Sequence, residues 1–570
     1  MFHETFCFFP KPAKKGVFYI FYTLISIFTY LDTKRKVRMT LARGDWFYIV
    51  LVALDSFFMA RPYLYVIQND NYRVSEIFKN KHLRLVYALD VITVAVFCGI
   101  WLIFWFLNAK AFWGFLIALF FFITEFALYF MEDLPDRKKP LRYTKRTVRC
   151  LVFNTLVASG AVAVSFAIAT ANLGDMYLRY TIFFAFVLLY PLIFATATSV
   201  INVFERLNNT RYENRAAKKL SRPDLIKIAI TGSCGKTSVK NFLAAMLCEK
   251  FNVLSTPQSY NTSMGIAKTV NSLDDTHEVF IAEFGARRVG DIKKLMKIVQ
   301  PQYTILTGIN NQHLQTFKTQ ENITREKCRI LDVGDGVCVI NAELKNITES
   351  VLLKKKIIPE TIYAGIDTAA DIYAKNLSVG KDGSEFDIVI GDDEYHAHTA
   401  ILGIHNVQNI MLAVAMALKL GVEVPFILNA IENLQPIAHR QQLIKGNGIC
   451  IIDDSFNSNP DGAKFALMTL DMFDTRKVVM TPGLVELGSR EAEENRILGK
   501  RIADVADVVL LIGGERVEPI FRALKESEFA GEIKRYSSLA MCEKDFVNTL
   551  KLGDTLLILN DLPDIYDGLE

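Results

Sequence analysis

The chain has 570 residues, 51% of them hydrophobic and 41 of them phenylalanine, with a mean hydropathy of +0.22. That is too apolar for a purely soluble enzyme, and a formal net charge of only +4 makes no case for a nucleic-acid partner. Nine cysteines without a CxxC pair or regular spacing fit free thiols in a reducing compartment, not a disulfide framework. No small-residue cleavage site follows the first apolar run, so a removed signal peptide is not expected.

Four runs, Val86–Leu107, Ala111–Met131, Leu151–Ala171 and Thr181–Phe204, are long enough to cross a bilayer, which takes about 20 apolar residues. The connection from Glu132 to Cys150 carries Arg137, Lys138, Lys139, Arg142, Lys145, Arg146 and Arg149, whereas that from Asn172 to Tyr180 carries only Arg179. The positive-inside rule puts the first in the cytoplasm and the second outside, so the chain after Phe204 is expected in the cytoplasm. Two further runs, Gly16–Leu31 and Trp46–Ile67, bring the expectation to five or six spans. If both cross, the basic stretch Asp32–Asp45 lies outside and breaks the rule; either one lies in the interface, or the first 38 residues are not a regular part of the domain. Asp55, Asp90 and Glu125 fall within apolar runs, where acids are costly. They read either as glue between helices or as a polar pocket for a lipid head group. Asn208–Asp224, with Arg211, Arg215, Lys218, Lys219 and Arg222, reads as a linker along an anionic membrane surface.

From Leu225 strand and helix patterns alternate, which predicts a parallel sheet with helices on both faces. The expected strands are Leu225–Ile230, Val253–Ser255, Val279–Ala282, Tyr303–Leu306 and Val337–Ile340. After the first comes Thr231-Gly232-Ser233-Cys234-Gly235-Lys236-Thr237-Ser238, opening an amphipathic helix to about Lys250. Glycines let backbone N–H groups converge on an anion, the helix N-terminus adds partial positive charge, Lys236 reaches outer phosphates and the Thr237 hydroxyl suits Mg²⁺. The bland alternative is an ordinary strand–turn–helix with a chance GKT. Glu283, at the end of the third strand, is a natural Mg²⁺ ligand. His313, in the loop after the fourth, reads as a metal ligand, a phosphate contact or a surface residue. Lys327 falls on a helix over Glu321–Leu331, and by itself says nothing. His396 and His398 form an HxH pair on a strand, explained by an exposed strand face or by metal binding. Lys354, Lys355 and Lys356 read as a solvated turn.

Taken together, TGSxGKTS, TPxxxNTxxG (Thr256–Gly265), ExGA (Glu283–Ala286), His313-Leu314 and ENIxxxK (Glu321–Lys327) resemble the Mur ligase family. So do Gly403–Asn409 (GxHNxxN), Pro436–Arg440 (PxxxR), Asp453–Pro460 (DDxxNxNP) and Gly483–Gly488 (GxxxELG). The last two motifs look most like those of the D-alanyl-D-alanine-adding branch. The likeness covers roughly residues 225–570.

The apolar runs predict an N-terminal α-helical transmembrane bundle (1–205) and the charged stretch a linker (206–224); the resemblance implies an α/β P-loop ATPase-type central domain (225–435) and a C-terminal Rossmann-like α/β domain (436–570). It implies ATP held by Gly232, Ser233, Cys234, Gly235, Lys236, Thr237 and Ser238, with Asn409 and Asn457 at base and ribose. Arg440 and Asp454 would join from the C-terminal domain on closure. One Mg²⁺ would sit on Thr237 and Glu283, and a second on His313 and a carbamylated Lys327. Tyr260, Asn261 and Thr262 would face the acyl substrate. Lys236, Lys327 and His313 would be the catalytic set. The implied partners are a cell-wall precursor peptide, soluble or lipid-linked, an amino-acid or dipeptide amine, and membrane lipid, at a multi-pass plasma-membrane location.

The family's N-terminal domain, which binds the uridine nucleotide, has no room in the about 25 residues between the last apolar run and the phosphate loop. Competing readings are a poly-γ-glutamate or capsule-type ligase and a nucleotide-gated membrane protein without ligase activity.

Overall fold

The computed structural model describes residues 45–69, 72–106, 141–172, 176–310, 312–354, 357–366, 369–446, 448–456 and 459–559. The chain divides near Asn208 into two compact units.

The first unit contains α1 (Asp45–Asn69), α2 (Lys81–Phe106), α3 (Lys145–Asn172) and most of α4 (Met176–Leu220). Within them, Leu83–Ile100, Lys145–Ser165 and Ala185–Leu220 are long and apolar enough to cross a membrane. Among the described residues that makes three candidate spans, where the sequence predicts five or six. Ala111–Met131 and Gly16–Leu31 lie outside the described residues. Trp46–Ile67 is helix α1, but it carries Asp55, Arg61 and Pro62 and does not meet the same criteria.

The core of this unit is aromatic. Tyr63 lies 5.6 Å from Tyr190 and 5.3 Å from Phe194, centroid to centroid, all three buried. The Tyr190 hydroxyl donates to the Ser56 carbonyl (2.8 Å) and accepts from Asn154 Nδ2 (2.7 Å), tying α1, α3 and α4 together. Buried polar groups act here as contacts between helices. Asp55 and Asp90 are buried too, and neither Asp55 carboxylate oxygen has a hydrogen-bond partner among the described residues. Glu125 lies outside them.

The predicted linker at Asn208–Asp224 is a helix for most of its length, because α4 runs on to Leu220. The reason is compositional: Asn208–Leu220 is rich in Arg, Lys, Glu and Ala and has no Gly or Pro, and Pro223 comes just after the end. Charge made the stretch look like a linker, but these residues are good helix formers.

The second unit holds two sheets. The first contains β1 (Ile226–Thr231), β2 (Val253–Ser255), β3 (Val279–Glu283), β4 (Tyr303–Leu306), β5 (Val337–Asn341) and β6 (Glu360–Gly365). The antiparallel strands β7 (Ile372–Gly380), β8 (Gly383–Ile390) and β9 (Asp393–Thr399) complete it. The order is β2-β3-β1-β4-β5-β6-β7-β8-β9, with β1 to β6 parallel. Both faces are covered. Ile228 and Ile230 pack with α5 (Lys236–Cys248) and α6 (Ile404–Lys419), while Ala229 joins a second cluster with Phe280, Ala282 and Leu306. Burial on both sides explains why these strands read as unbroken apolar runs. From β1 the chain steps to the β2–β3 side and then crosses to β4, so the order reverses around β1. Ligands of such sheets gather at the strand C-terminal ends at this switch point.

The second sheet has the order β10-β11-β15-β12-β13-β14, from β10 (Gln442–Gly446), β11 (Ile449–Asp454), β12 (Lys477–Thr481), β13 (Val508–Ile512), β14 (Glu532–Tyr536) and β15 (Thr555–Leu559). It is parallel except for β10 against β11. Helices α7 (Pro460–Asp471) and α8 (Glu491–Val505) pack on it. The HxH pair sits on β9 with both imidazoles largely exposed; His396 Nδ1 is 2.9 Å from Asp387 Oδ1, and His398 lies 3.7 Å from Glu432.

Candidate active site

The loop after β1 is held by the segments that follow β3 and β4. Ser233 N–H donates to the Gly308 carbonyl (2.7 Å), Thr231 Oγ1 to the Phe284 carbonyl (2.8 Å), and Thr307 Oγ1 to the Cys234 carbonyl. Gly235 precedes α5 with φ +76, and a Cβ there would run into the Asn409 carboxamide, so that position is confined to glycine both conformationally and sterically. Asn409, on α6, thus lies against the loop. The first turn of α5 has neither a side-chain cap nor an acidic residue. Its unpaired N–H groups therefore remain available to an anion. Ser238 is buried in that turn, and burial raises the Cys234 thiol pKa.

Lys236 folds back over the loop, its Nζ donating to the carbonyls of Gly232 (2.8 Å) and Ser233 (3.3 Å). Burial lowers its pKa, against the attraction of Glu283. Lys327, on the helix Gln320–Lys327, donates to the same Gly232 carbonyl at 2.9 Å. Two lysines thus converge on one oxygen. Lys327 is 2% exposed, and among the described residues no carboxylate lies within ion-pair distance of it. Burial, and then the Lys236 charge, push its pKa well below the usual ammonium range.

Parallel pairing places Ile230 beside Glu283, which delivers the carboxylate to the loop. Glu283 Oε2 accepts from Thr237 Oγ1 (2.9 Å) and Oε1 from Asn261 Nδ2 (3.0 Å). Lys240 Nζ lies 3.7 Å from Oε2, with both side chains 1% exposed, and donates to the Gln258 carbonyl (2.5 Å). Lys240 carries no role in the sequence reading. Its only signal there is its place one turn after Lys236 on the same helix face.

The three residues expected at the acyl substrate separate. Asn261 faces Glu283. The Thr262 hydroxyl caps the helix Ser263–Val270, accepting from Gly265 N–H (3.2 Å). The half-buried Tyr260 accepts a hydrogen bond from Lys268 (3.2 Å).

His313 leads out of the loop after β4 with φ +60, and its Nδ1 contacts the Glu486 carboxylate. Burial lowers its pKa, against the pull of Glu486. Lys327 is among the charges that act on it. Glu486 also faces Arg287, at 3.8 Å. Burial raises the Glu486 pKa, but the hydrogen bond and charge of His313 and the charge of Arg287 outweigh it and hold the carboxyl below its usual value. Glu486 falls in the GxxxELG motif, yet its sequence separation of 173 from His313 hides the pairing.

Arg440 Nη2 donates to Thr237 Oγ1 (3.1 Å), and its guanidinium lies over the Phe456 ring at 4.6 Å. Asp454 is pushed up to about 8 by burial, against the Arg440 charge. Asn310 Nδ2 donates to Asn459 Oδ1 (3.2 Å) and Asp461 Oδ2 (3.0 Å), a second contact between the loop after β4 and the segment leading into α7. A small cleft opens beside Ser238, Phe242, Asn406, Ile437, Arg440 and Gln441. Asn457 lies outside the described residues.

Among the described residues no three His, Cys, Asp or Glu side chains form a metal cage. Mg²⁺ does not require one, since it takes one or two protein oxygens and completes its shell with phosphate and water. The buried Thr237 hydroxyl and Glu283 carboxylate fit that demand.

Family models match the Mur ligase middle domain over residues 230–417 and the Mur ligase glutamate ligase domain over residues 439–560. The chain is 29% identical over 281 residues to the UDP-N-acetylmuramoyl-tripeptide--D-alanyl-D-alanine ligase of Buchnera aphidicola, covering 48% of this chain and 60% of that one. To the Bacillus subtilis protein of the same name it is 26% identical over 326 residues, covering 56% and 66%. The match thus spans less than two thirds of either relative. The solved MurF ligase of Thermotoga maritima in complex with ADP shares the fold, with TM-score 0.56 at 22% identity over 63% of this chain and 81% of that one. The phosphate loop, the β3 carboxylate and, apart from the start of β1, both α/β sheets fall inside the matched segments, and by these two domains the chain belongs to the Mur ligase family.

Proposed function

We propose that the chain is an ATP-dependent amide ligase that joins D-alanyl-D-alanine, or a similar amine, to the stem peptide of a cell-wall precursor. The observation that carries this reading is the convergence of Lys236 and Lys327 on the Gly232 carbonyl beside the Thr237–Glu283 pair. The names of the relatives support the substrate class.

In this reading the open N–H groups of α5 and the Lys236 ammonium bind the β- and γ-phosphates of ATP. A precursor carboxylate attacks the γ-phosphorus, ADP leaves, and an acyl phosphate forms. The amine then attacks the acyl carbon, and phosphate departs with the former carboxylate oxygen. Mg²⁺, held by Thr237 and Glu283 with a second ion at His313 and carbamylated Lys327, supplies charge neutralisation on the transferring phosphoryl group. Lys236 holds charge on the same group. Arg440, reaching Thr237 from the C-terminal side, helps exclude water that would hydrolyse the acyl phosphate. Asn409 and Asn457 meet the base and ribose, and Tyr260, Asn261 and Thr262 the acyl substrate.

The helical unit anchors the enzyme in the plasma membrane with its catalytic unit in the cytoplasm, and the acyl substrate is lipid-linked. Three helices of membrane-spanning length and composition support this. Purified full-length protein in detergent, given ATP, Mg²⁺ and D-alanyl-D-alanine, is expected to release phosphate with a lipid-linked tripeptide precursor. Release only with the soluble UDP-linked precursor rules the lipid-linked substrate out.

A further inference from the structure

His313 and Glu486 come from different halves of the catalytic unit: one follows β4, the other follows β12. Both have left-handed backbone, with φ +60 and +65, which non-glycine residues adopt rarely and keep only where surroundings enforce it. The surroundings here are built on both sides. Asn495, 1% exposed, locks the turn that presents Glu486 by accepting from Leu484 N–H (2.8 Å) and donating to the Leu484 carbonyl (2.9 Å). On the other side, Thr316 Oγ1 contacts the carbonyls of both Arg287 (2.6 Å) and His313 (3.1 Å), holding the two residues that face Glu486. The Glu486 side chain is 13% exposed and that of His313 11%.

A carboxylate only accepts hydrogen bonds, so the contact at Nδ1 requires hydrogen on Nδ1, which in the neutral imidazole leaves the lone pair on Nε2. A carboxylate that fixes a histidine in this way is the usual support behind a metal-bound imidazole. We propose that Glu486 is a positioning residue which orients His313 from the C-terminal domain, so that the His313 metal position is complete only while that domain is docked. This rests on reading His313 as a metal ligand. It couples domain closure to metal binding: an open enzyme holds nucleotide through the phosphate loop but lacks the oriented imidazole, and ATP is not activated before the C-terminal domain arrives.

The test is a Mn²⁺ titration of the full-length protein with ADP, read by electron paramagnetic resonance, on wild type and on the variants Glu486→Ala, Glu486→Gln and His313→Ala. Metal-free ADP binding serves as the control for folding. Glu486→Ala is expected to weaken the Mn²⁺ position that His313→Ala removes by about 10- to 100-fold. Glu486→Gln, whose amide oxygen still accepts from Nδ1–H, should stay near wild type. A wild-type titration for Glu486→Ala alongside a weakened His313→Ala overturns the coupling and leaves the metal reading standing. Equal losses in Glu486→Ala and Glu486→Gln overturn the orienting role. Unchanged Mn²⁺ binding in His313→Ala overturns the metal reading itself, and the inference with it.

Discussion

Alanine at Lys327 is expected to cut ligase turnover by at least about a hundredfold, the usual scale for losing a group that stabilises transition-state charge. Short-chain carboxylic acids such as acetate should restore part of it. The physical basis is the environment of the amine. Lys327 is buried, hydrogen-bonded to a carbonyl, without an ion-pair partner among the described residues and repelled by Lys236. Those conditions favour the neutral amine, the form that attacks CO₂, and the carbamate so formed is the anion that a second Mg²⁺ would need. A small carboxylate can occupy the same space with the same charge.

The pH linkage gives an independent check. The Lys327 pKa in the folded chain is far below its unfolded value, so between the two the unfolded chain binds more protons. The lysine's contribution to stability therefore rises with pH through that window, and at pH 7 the unmodified side chain is a burden. Lys327→Met should melt no lower than wild type at pH 7 while being equally inactive, which separates lost chemistry from lost folding. Full turnover in Lys327→Ala, measured by ADP release, would contradict the assigned role.

Glu283→Ala is the second large effect, and it has two parts. Turnover should fall by at least about a hundredfold because the oxygen paired with Thr237 is lost from the proposed Mg²⁺ position. Stability should fall by about 3 kcal/mol, because Lys240 is left buried with only the Gln258 carbonyl. The double variant Glu283→Ala/Lys240→Met should recover most of the stability in a denaturant melt and none of the activity. A single variant as active as wild type would remove Glu283 from the site.

The strands and the phosphate loop were legible in the sequence because their causes are local. Each of β1–β5 is a short apolar run bounded by turn residues, and the observed strands agree with expectation to within one residue at every end. The loop is legible because GxxGKTS combines a left-handed glycine, a lysine and a hydroxyl at fixed spacing. For the linker, charge alone left the conformation open, and helix α4 runs through most of it, to Leu220. The strands β7 and β8 were left out of the expected set because they are half-exposed and alternate polar with apolar residues, as at Ser384–Ile388, whereas β9 was anticipated through its HxH pair.

Long-range pairing is the other missing layer. Nothing near His313 announces Glu486, and nothing near Lys240 announces Glu283. Lys327 illustrates the limit most sharply: every helix has lysines, and only burial beside a second lysine marks this one as unusual. Tyr260–Thr262 add a further case: the motif was legible, but not the contact each residue makes, which is a carboxylate contact, a helix cap and a partly exposed ring.

The most direct test follows one oxygen atom. Acyl donor, the precursor peptide, labelled in its reacting carboxylate with a heavy oxygen isotope would be incubated with full-length protein, ATP, Mg²⁺ and D-alanyl-D-alanine, and the released phosphate analysed by mass spectrometry. Passage through an acyl phosphate predicts one labelled oxygen in each phosphate formed. Phosphate released without label, its new oxygen drawn from water, would mean that the nucleotide is simply hydrolysed, and the ligase account would fail.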